Sequence, residues 1–244
     1  MSRLSYYWSL AKSATRKGDT DSANKQALVE HVTANAEPGD VDGVIKLIDE
    51  FGSKRAFLMN VGDEKGLLLD GAVARAQPRR LMELGAFCGY SGLRIARAMP
   101  PGAHLYSVEI SPFNAQTATT IWQHAGVADR ITAVVGALGD GKTLGRLRTE
   151  FGLGPESLDF LFIDHEHSVY LSDLELLLDA GFLREGAVVV ADNVKVPGAP
   201  KYLAHMREHE GKDWRTVEHK THLEYQSFIP DLVLESTYLG AVRG

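Results

Sequence analysis

The chain has 244 residues, 44% of them hydrophobic and 24% charged, with a formal net charge of −6. That length buries a sizeable core and suits a single domain over 1–244, and the composition is ordinary for a soluble globular protein. The acidic balance speaks against a general nucleic-acid binder, which carries a basic face, and no run approaches the roughly 18 apolar residues of a membrane span.

Residues 1–77 show helical periodicity and almost no strand signal. The start, M-S-R-L-S-Y-Y-W-S-L-A-K, lacks the apolar core and cleavage site of a signal peptide. Tyr6, Tyr7 and Trp8 suit a cap on the helical region or a dimer contact, so both monomer and homodimer stay open. Asp21 to Asn35 places Leu28, Val29 and Val32 near one face. Val41, Val44, Ile45, Ile48 and Phe51 form a clearer stripe at helical spacing. Pro38-Gly39 supplies the turn between these helices, and Asp40 can N-cap the second. A third helix is expected from Asp63 to Ala76, ahead of Pro78. Core packing explains all three stripes, so 1–77 reads as a helical extension before a core at 78–244.

From Arg80 the pattern alternates. Strand-like runs fall at 81–84, 104–110, 131–135, 158–163 and 187–191, with helical stretches at 91–99, 112–125, 140–150 and 170–181. Such alternation predicts βαβ units, hence an α/β, doubly wound, mostly parallel sheet. Trp214 to Val217 and Asp231 to Leu239 read as two further strands with no full helix between them, an antiparallel pair at the sheet edge.

Leu81 to Ser91, L-M-E-L-G-A-F-C-G-Y-S, joins an apolar strand to a helix through a glycine turn. Glycine there lets the backbone pass close to a ligand, and the carboxyl end of a parallel strand is where α/β folds bind nucleotides. The spacing is E-x-G-x-x-x-G and not the dinucleotide G-x-G-x-x-G. Cys88, the one cysteine, reads as a small buried side chain. It excludes an internal disulfide and fits a reducing, cytoplasmic setting. Glu109 closes the second strand, where an acid can accept both ribose hydroxyls of a nucleoside. Asp140, after the third, is explained equally well as a helix N-cap.

The fourth strand ends in Asp164 and the fifth in Asp192-Asn193. Adjacent strand ends bring two carboxylates and an amide to one rim. An all-oxygen set suits Mg²⁺, with Mn²⁺ or Ca²⁺ also accepted, and leaves coordination positions for substrate. His165 and His167 flank Glu166, but their i, i+2 spacing lacks the helical H-E-x-x-H of a zinc site.

The glycine turn resembles motif I of the class I S-adenosylmethionine (SAM)-dependent methyltransferases. The wider chain, over about residues 19–240, resembles the catechol O-methyltransferases. Met59-Asn-Val-Gly-Asp63, Lys65-Gly66, E-L-G-A-F-C-G-Y-S, Asp164-His165, A-D-N-V-x-V-P-G and Leu223-Glu-Tyr225 recur there in this order. The resemblance implies a Rossmann-like sheet of seven strands with an antiparallel C-terminal strand. It also implies SAM as cofactor and a small catechol as substrate. Met59 and Val61 would pack around the methionine part, with Glu83, Gly85, Tyr90 and Ser91 holding its amino-acid end. Glu109 would bind the ribose, and His165 would lie by the adenine. Asp164, Asp192 and Asn193 would bind Mg²⁺. Glu224 would hold the non-reacting hydroxyl, and Pro197 would wall the aromatic ring.

The chain departs from the animal form of the family at four places. The base position, usually lysine, is His167, an imidazole with a reference pKa of about 6.5 that is largely neutral at pH 7. Glu166 stands where a tryptophan usually meets the adenine. Phe57 replaces a gatekeeping tryptophan, and Leu138-Gly139 replace a polar pair. Other readings stay open: another vicinal aromatic diol of caffeoyl or flavonoid type, or a non-catalytic adenosyl-binding protein. A nicotinamide dehydrogenase would share the sheet and Glu109 but should show G-x-G-x-x-G.

Overall fold

Phe160 and Phe162 pack into one hydrophobic cluster while Leu161 and Ile163, between and beside them, pack into another. A strand whose alternate side chains are all apolar must be buried on both faces, which is the situation of a parallel sheet covered by helices. A computed structural model, which describes residues 18–240, shows this arrangement. Tyr6, Tyr7 and Trp8 lie outside the described residues.

Three helices come first: α1 (Gly18–Asn35), α2 (Val41–Lys54) and α3 (Gly62–Ala76). Asp40 caps α2 as expected, accepting from Gly43 N at 2.9 Å, and Val44, Ile45, Ile48 and Phe51 are its buried stripe. The alternating part then runs β1 (Arg80–Leu84), α4 (Tyr90–Ala98), β2 (His104–Glu109), α5 (Pro112–His124), β3 (Ile131–Val135), α6 (Thr143–Thr149), β4 (Leu158–Ile163), α7 (Tyr170–Asp179), β5 (Leu183–Ala191), α8 (Pro200–Glu208), β6 (Trp214–Leu223) and β7 (Gln226–Tyr238).

The seven strands order as β3-β2-β1-β4-β5-β7-β6. The first five are parallel, and β7 lies antiparallel to both β5 and β6. Strand order reverses between β1 and β4, so the two halves diverge there and leave a crevice beyond their carboxyl ends. One core cluster joins α1–α5 to the sheet and the other joins α6–α8 to its opposite face.

Four elements differ from the sequence expectation. β5 begins at Leu183, four residues earlier. Helix α8 was not foreseen, because only Tyr202 and Met206 of its nine residues are buried and no stripe forms. β6 and β7 are longer than predicted and form a hairpin. Being the edge strand, β6 buries only Trp214 and Thr221, which weakens its apolar signal. No helix among the described residues is long and apolar enough to cross a membrane.

Candidate active site

After β1 the chain turns through Gly85–Gly89 into α4. Gly85 has φ +97°, and a Cβ on it would sit 2.3 Å from the Asp164 carbonyl oxygen, so only glycine lets the turn cross the end of β4. Gly89 precedes α4 at φ +85°, and Trp122 Nε1 donates to its carbonyl at 2.8 Å. Glu109 ties the turn to β2 by accepting from the backbone N–H of Ala86 at 3.1 Å, Phe87 at 3.0 Å and Ser111 at 2.8 Å.

Glu83 is wholly buried and accepts from the hydroxyls of Ser91 and Ser107. Burial pushes its pKa up to about 7 against the pull of these two hydrogen bonds. Tyr90 is buried too, its hydroxyl accepting from Arg94 Nη1 at 2.9 Å. Glu83, Tyr90 and Ser91 thus brace the turn from the core and do not line the cleft. Asp140 accepts from the N–H groups of Lys142 and Thr143 at 2.7 and 2.8 Å, which is the capping role.

A cleft of about 650 Å³ opens over this turn. Phe57, Met59, Gly85, Glu109, Asp164 and His165 line it, together with His167, Asn193, Pro197 and Glu224. Val61 lies in an adjoining pocket of about 200 Å³ that shares Leu223 and Glu224 with the first. The mouth is apolar, with Phe57 and Met59 both exposed.

Parallel pairing sets Asp164 and Asp192 at neighbouring strand ends: Asp164 N bonds Leu84 O and Asp192 N bonds Ile163 O, each at 3.0 Å. Asp192 is fully buried. Its Oδ1 accepts from Asn193 N at 2.6 Å and pairs with Lys65 Nζ at 2.8 Å, while its Oδ2 has no hydrogen-bond partner. Asn193 sits in left-handed backbone at φ 51°. Its Nδ2 donates to Val196 O at 3.0 Å, Glu224 Oε1 at 2.8 Å and Asp231 Oδ2 at 2.9 Å, so Oδ1 is the amide's remaining ligand atom.

Two residues of this cluster were given no role by sequence reasoning. Lys65 of α3, buried, pairs with Asp192, with Glu224 and, at 3.2 Å, with Asp231. Asp231 of β7, also buried, accepts from Val196 N at 2.9 Å. Burial alone would lower the Lys65 pKa, but Asp192 and Glu224 outweigh it and keep the ammonium charged. Burial pushes Asp192 up to about 7, opposed by Lys65 and reinforced by Glu224. Asp164 is raised well above the carboxylate range by burial and then by Asp192. Three carboxylates around one ammonium, Asp192, Glu224 and Asp231, with an orphaned buried oxygen on Asp192, fit a bound divalent cation.

Tyr170, also not foreseen, organises the histidines. His165 stacks on its ring at 5.2 Å and His167 at 5.1 Å, and its hydroxyl donates to Asp192 O at 3.2 Å. His165 Nε2 shares a 2.9 Å hydrogen bond with Asp173, another cleft residue. His167 Nε2 is buried without a partner. Burial lowers the His167 pKa below its ordinary 6.5, with Glu166 opposing.

The E-x-G-x-x-x-G turn on this strand order marks a class I SAM-dependent methyltransferase. The model of the O-methyltransferase family matches residues 40–213. A protein of Mycobacterium tuberculosis named a probable O-methyltransferase is 53% identical over 94% of this chain and 98% of its own length. Catechol O-methyltransferase B of Danio rerio is 40% identical over 91% of this chain and 81% of its own. Among solved structures, an O-methyltransferase of tomaymycin synthesis from Streptomyces achromogenes, in complex with SAM, aligns with a TM-score of 0.65. It is 25% identical and covers 84% of this chain and 92% of that one. The chain belongs to the O-methyltransferase family and is a SAM-dependent enzyme of that class.

Proposed function

We propose that this enzyme methylates one hydroxyl of a vicinal aromatic diol, in the simplest case a catechol, with a divalent metal and with His167 as base. The observation that carries the reading is that Asp164 and Asp192, the latter with an orphaned Oδ2, stand at neighbouring strand ends beside a cleft lined by Asp164, Asn193, Glu224 and His167. The relatives named catechol O-methyltransferases support the substrate class.

Asp164, Asp192 and Asn193 would hold Mg²⁺, with Mn²⁺ or Ca²⁺ compatible. When bound, the ion supplies Lewis acidity that lowers the pKa of a hydroxyl. SAM supplies the electrophilic methyl. Glu224 Oε1 is committed to Lys65 and Asn193, so Oε2 is the oxygen that would accept from the non-reacting hydroxyl. His167 Nε2 would take the proton of the reacting one. Pro197 and Phe57 would wall the ring, and that alignment lowers much of the barrier. Met59 and Val61 would pack on the methionine part of SAM, and His165 would lie by its adenine. Glu109 has spent three acceptor directions on backbone N–H, and a carboxylate offers about four, which leaves room for a ribose hydroxyl. A reducing, cytoplasmic setting agrees with a lone buried cysteine.

Methyl transfer from SAM to a simple catechol, with and without Mg²⁺ and beside a monophenol, tests the reading. Metal-dependent turnover of the catechol alone is expected. Equal turnover of the monophenol, or full activity in chelator, would overturn it.

His167→Ala is expected to lower kcat by about 10²-fold or more, the usual contribution of a general base. The neutral imidazole is the active form, and its pKa lies below 6.5. Wild-type kcat/KM should therefore fall as pH drops through that value and be flat above it. Glu166, Asp231 and Glu224 oppose the lowering while His165 adds to it. The variant should lose this acidic limb, and an identical pH profile would remove His167 from the chemistry.

A further inference from the structure

We infer that Asp231 is a positioning residue that sets which way the Asn193 amide faces, and so whether the rim can bind a metal ion. The inference rests on the metal reading above. Asp231 stands on β7 opposite Thr221, at the hairpin's buried end, and both of its carboxylate oxygens are engaged. Oδ1 accepts from the backbone N–H of Val196 at 2.9 Å, pinning the turn that follows Asn193. Oδ2 accepts from Asn193 Nδ2 at 2.9 Å and from Lys65 Nζ at 3.2 Å.

An asparagine side chain has one donor end and one acceptor end, and only the acceptor can ligate a cation. The three hydrogen-bond partners of Asn193 Nδ2 are all acceptors: Val196 O, Glu224 Oε1 and Asp231 Oδ2. The amide is therefore locked with its donor end in the cluster and Oδ1 presented as the ligand atom. Lys65 completes the arrangement by pairing with Glu224 and Asp231 beside the amide. Groups that orient metal ligands from behind typically change affinity by 10–100-fold when removed.

Asp231→Asn tests the chemistry with almost no change in volume. If the substituted amide turns its carbonyl to the Val196 N–H, its own NH₂ meets Lys65 and the Asn193 amide, donor against donor. Turning the Asn193 amide over relieves its part of that clash and points its NH₂ at the metal position, at the expense of its bonds to Val196 O and Glu224 Oε1; in either orientation the amide is no longer held as a ligand.

The experiment measures Mn²⁺ binding by the free-ion EPR signal, and binding of the demethylated cofactor by calorimetry, in wild type, Asp231→Asn and Asp231→Glu. Asp231→Asn is expected to weaken Mn²⁺ at least about tenfold, with cofactor affinity unchanged and with Asp231→Glu, which keeps the charge, losing less. A folded Asp231→Asn that binds Mn²⁺ like wild type would overturn the inference while leaving the metal reading intact. Wild-type protein that takes up no Mn²⁺ would overturn both. Should the variants fail to fold, ¹⁵N NMR of the metal-free wild type decides. Slow exchange of the Asn193 side-chain NH₂, assigned by its loss in Asn193→Ser, is expected, and free exchange with solvent would overturn the lock.

Discussion

Asp192→Ala is expected to abolish methyl transfer while sparing cofactor binding. Asp192 contributes the one carboxylate oxygen of the rim that is fully buried and unpartnered, and of the three proposed ligands its removal leaves only Asp164 and the Asn193 amide. A divalent cation stabilises developing charge by several kcal/mol, and each ~1.4 kcal/mol is about a factor of ten in rate. The fall in kcat should therefore be about 10³-fold or more. The proposed cofactor contacts lie elsewhere, at the Gly85–Gly89 turn and Glu109, so calorimetry with the demethylated cofactor should give an unchanged affinity. Substantial turnover by the variant, or wild-type turnover that survives chelation, would sink the metal assignment. Loss of cofactor binding as well would mean that the strand end, and not a ligand, had been damaged.

Lys65→Met should cost the most stability of any substitution in the site. The ammonium is almost completely buried and faces Asp192, Glu224 and Asp231 at once. Removing one partner of a buried ion pair typically costs about 3–5 kcal/mol, because the opposite charges stay desolvated and uncompensated. In a chain of this size that corresponds to a fall in Tm of roughly 6–20 °C. Methionine keeps most of the stem's packing, so the loss reports the charge and not a cavity. Mn²⁺ should restore part of the lost Tm in the variant, since a divalent ion can sit among the same three oxygens, which approach within 4.8 Å of one another. A variant that melts within a degree of wild type would show that the carboxylates neutralise themselves without Lys65.

The alternating core was legible because burial on both faces leaves an unmistakable mark: Phe160 to Ile163 is apolar at every position. The glycine turn was legible too, since Gly85 and Gly89 each answer a local steric demand. The acidic rim could be read only as far as adjacency of strand ends allowed, which gave Asp164, Asp192 and Asn193. Lys65 was visible only as part of the M-N-V-G-D-E-K-G block, and Asp231 carried no signal at all. Their meeting depends on where the hairpin docks, and no local spacing encodes that. Glu83 was named only through the family resemblance, and its hydrogen bonds to Ser91 and Ser107 were not legible, because they depend on how α4 and β2 pack against β1. Helix α8 and the length of β6 escaped because their exposed faces are polar.

The cluster around Lys65 is also a clock. Glu224 lies 159 residues and Asp231 166 residues further along the chain than Lys65. At translation speeds of about 5–20 residues per second, that gap is on the order of ten to thirty seconds. Strands β1 to β5 can pair and the cofactor turn can close within that interval, but the ammonium has at most Asp192 beside it. The hairpin that supplies the other two carboxylates is the last part of the sheet to be made. Methyl transfer by a newly synthesised chain therefore reports that its final two strands have docked.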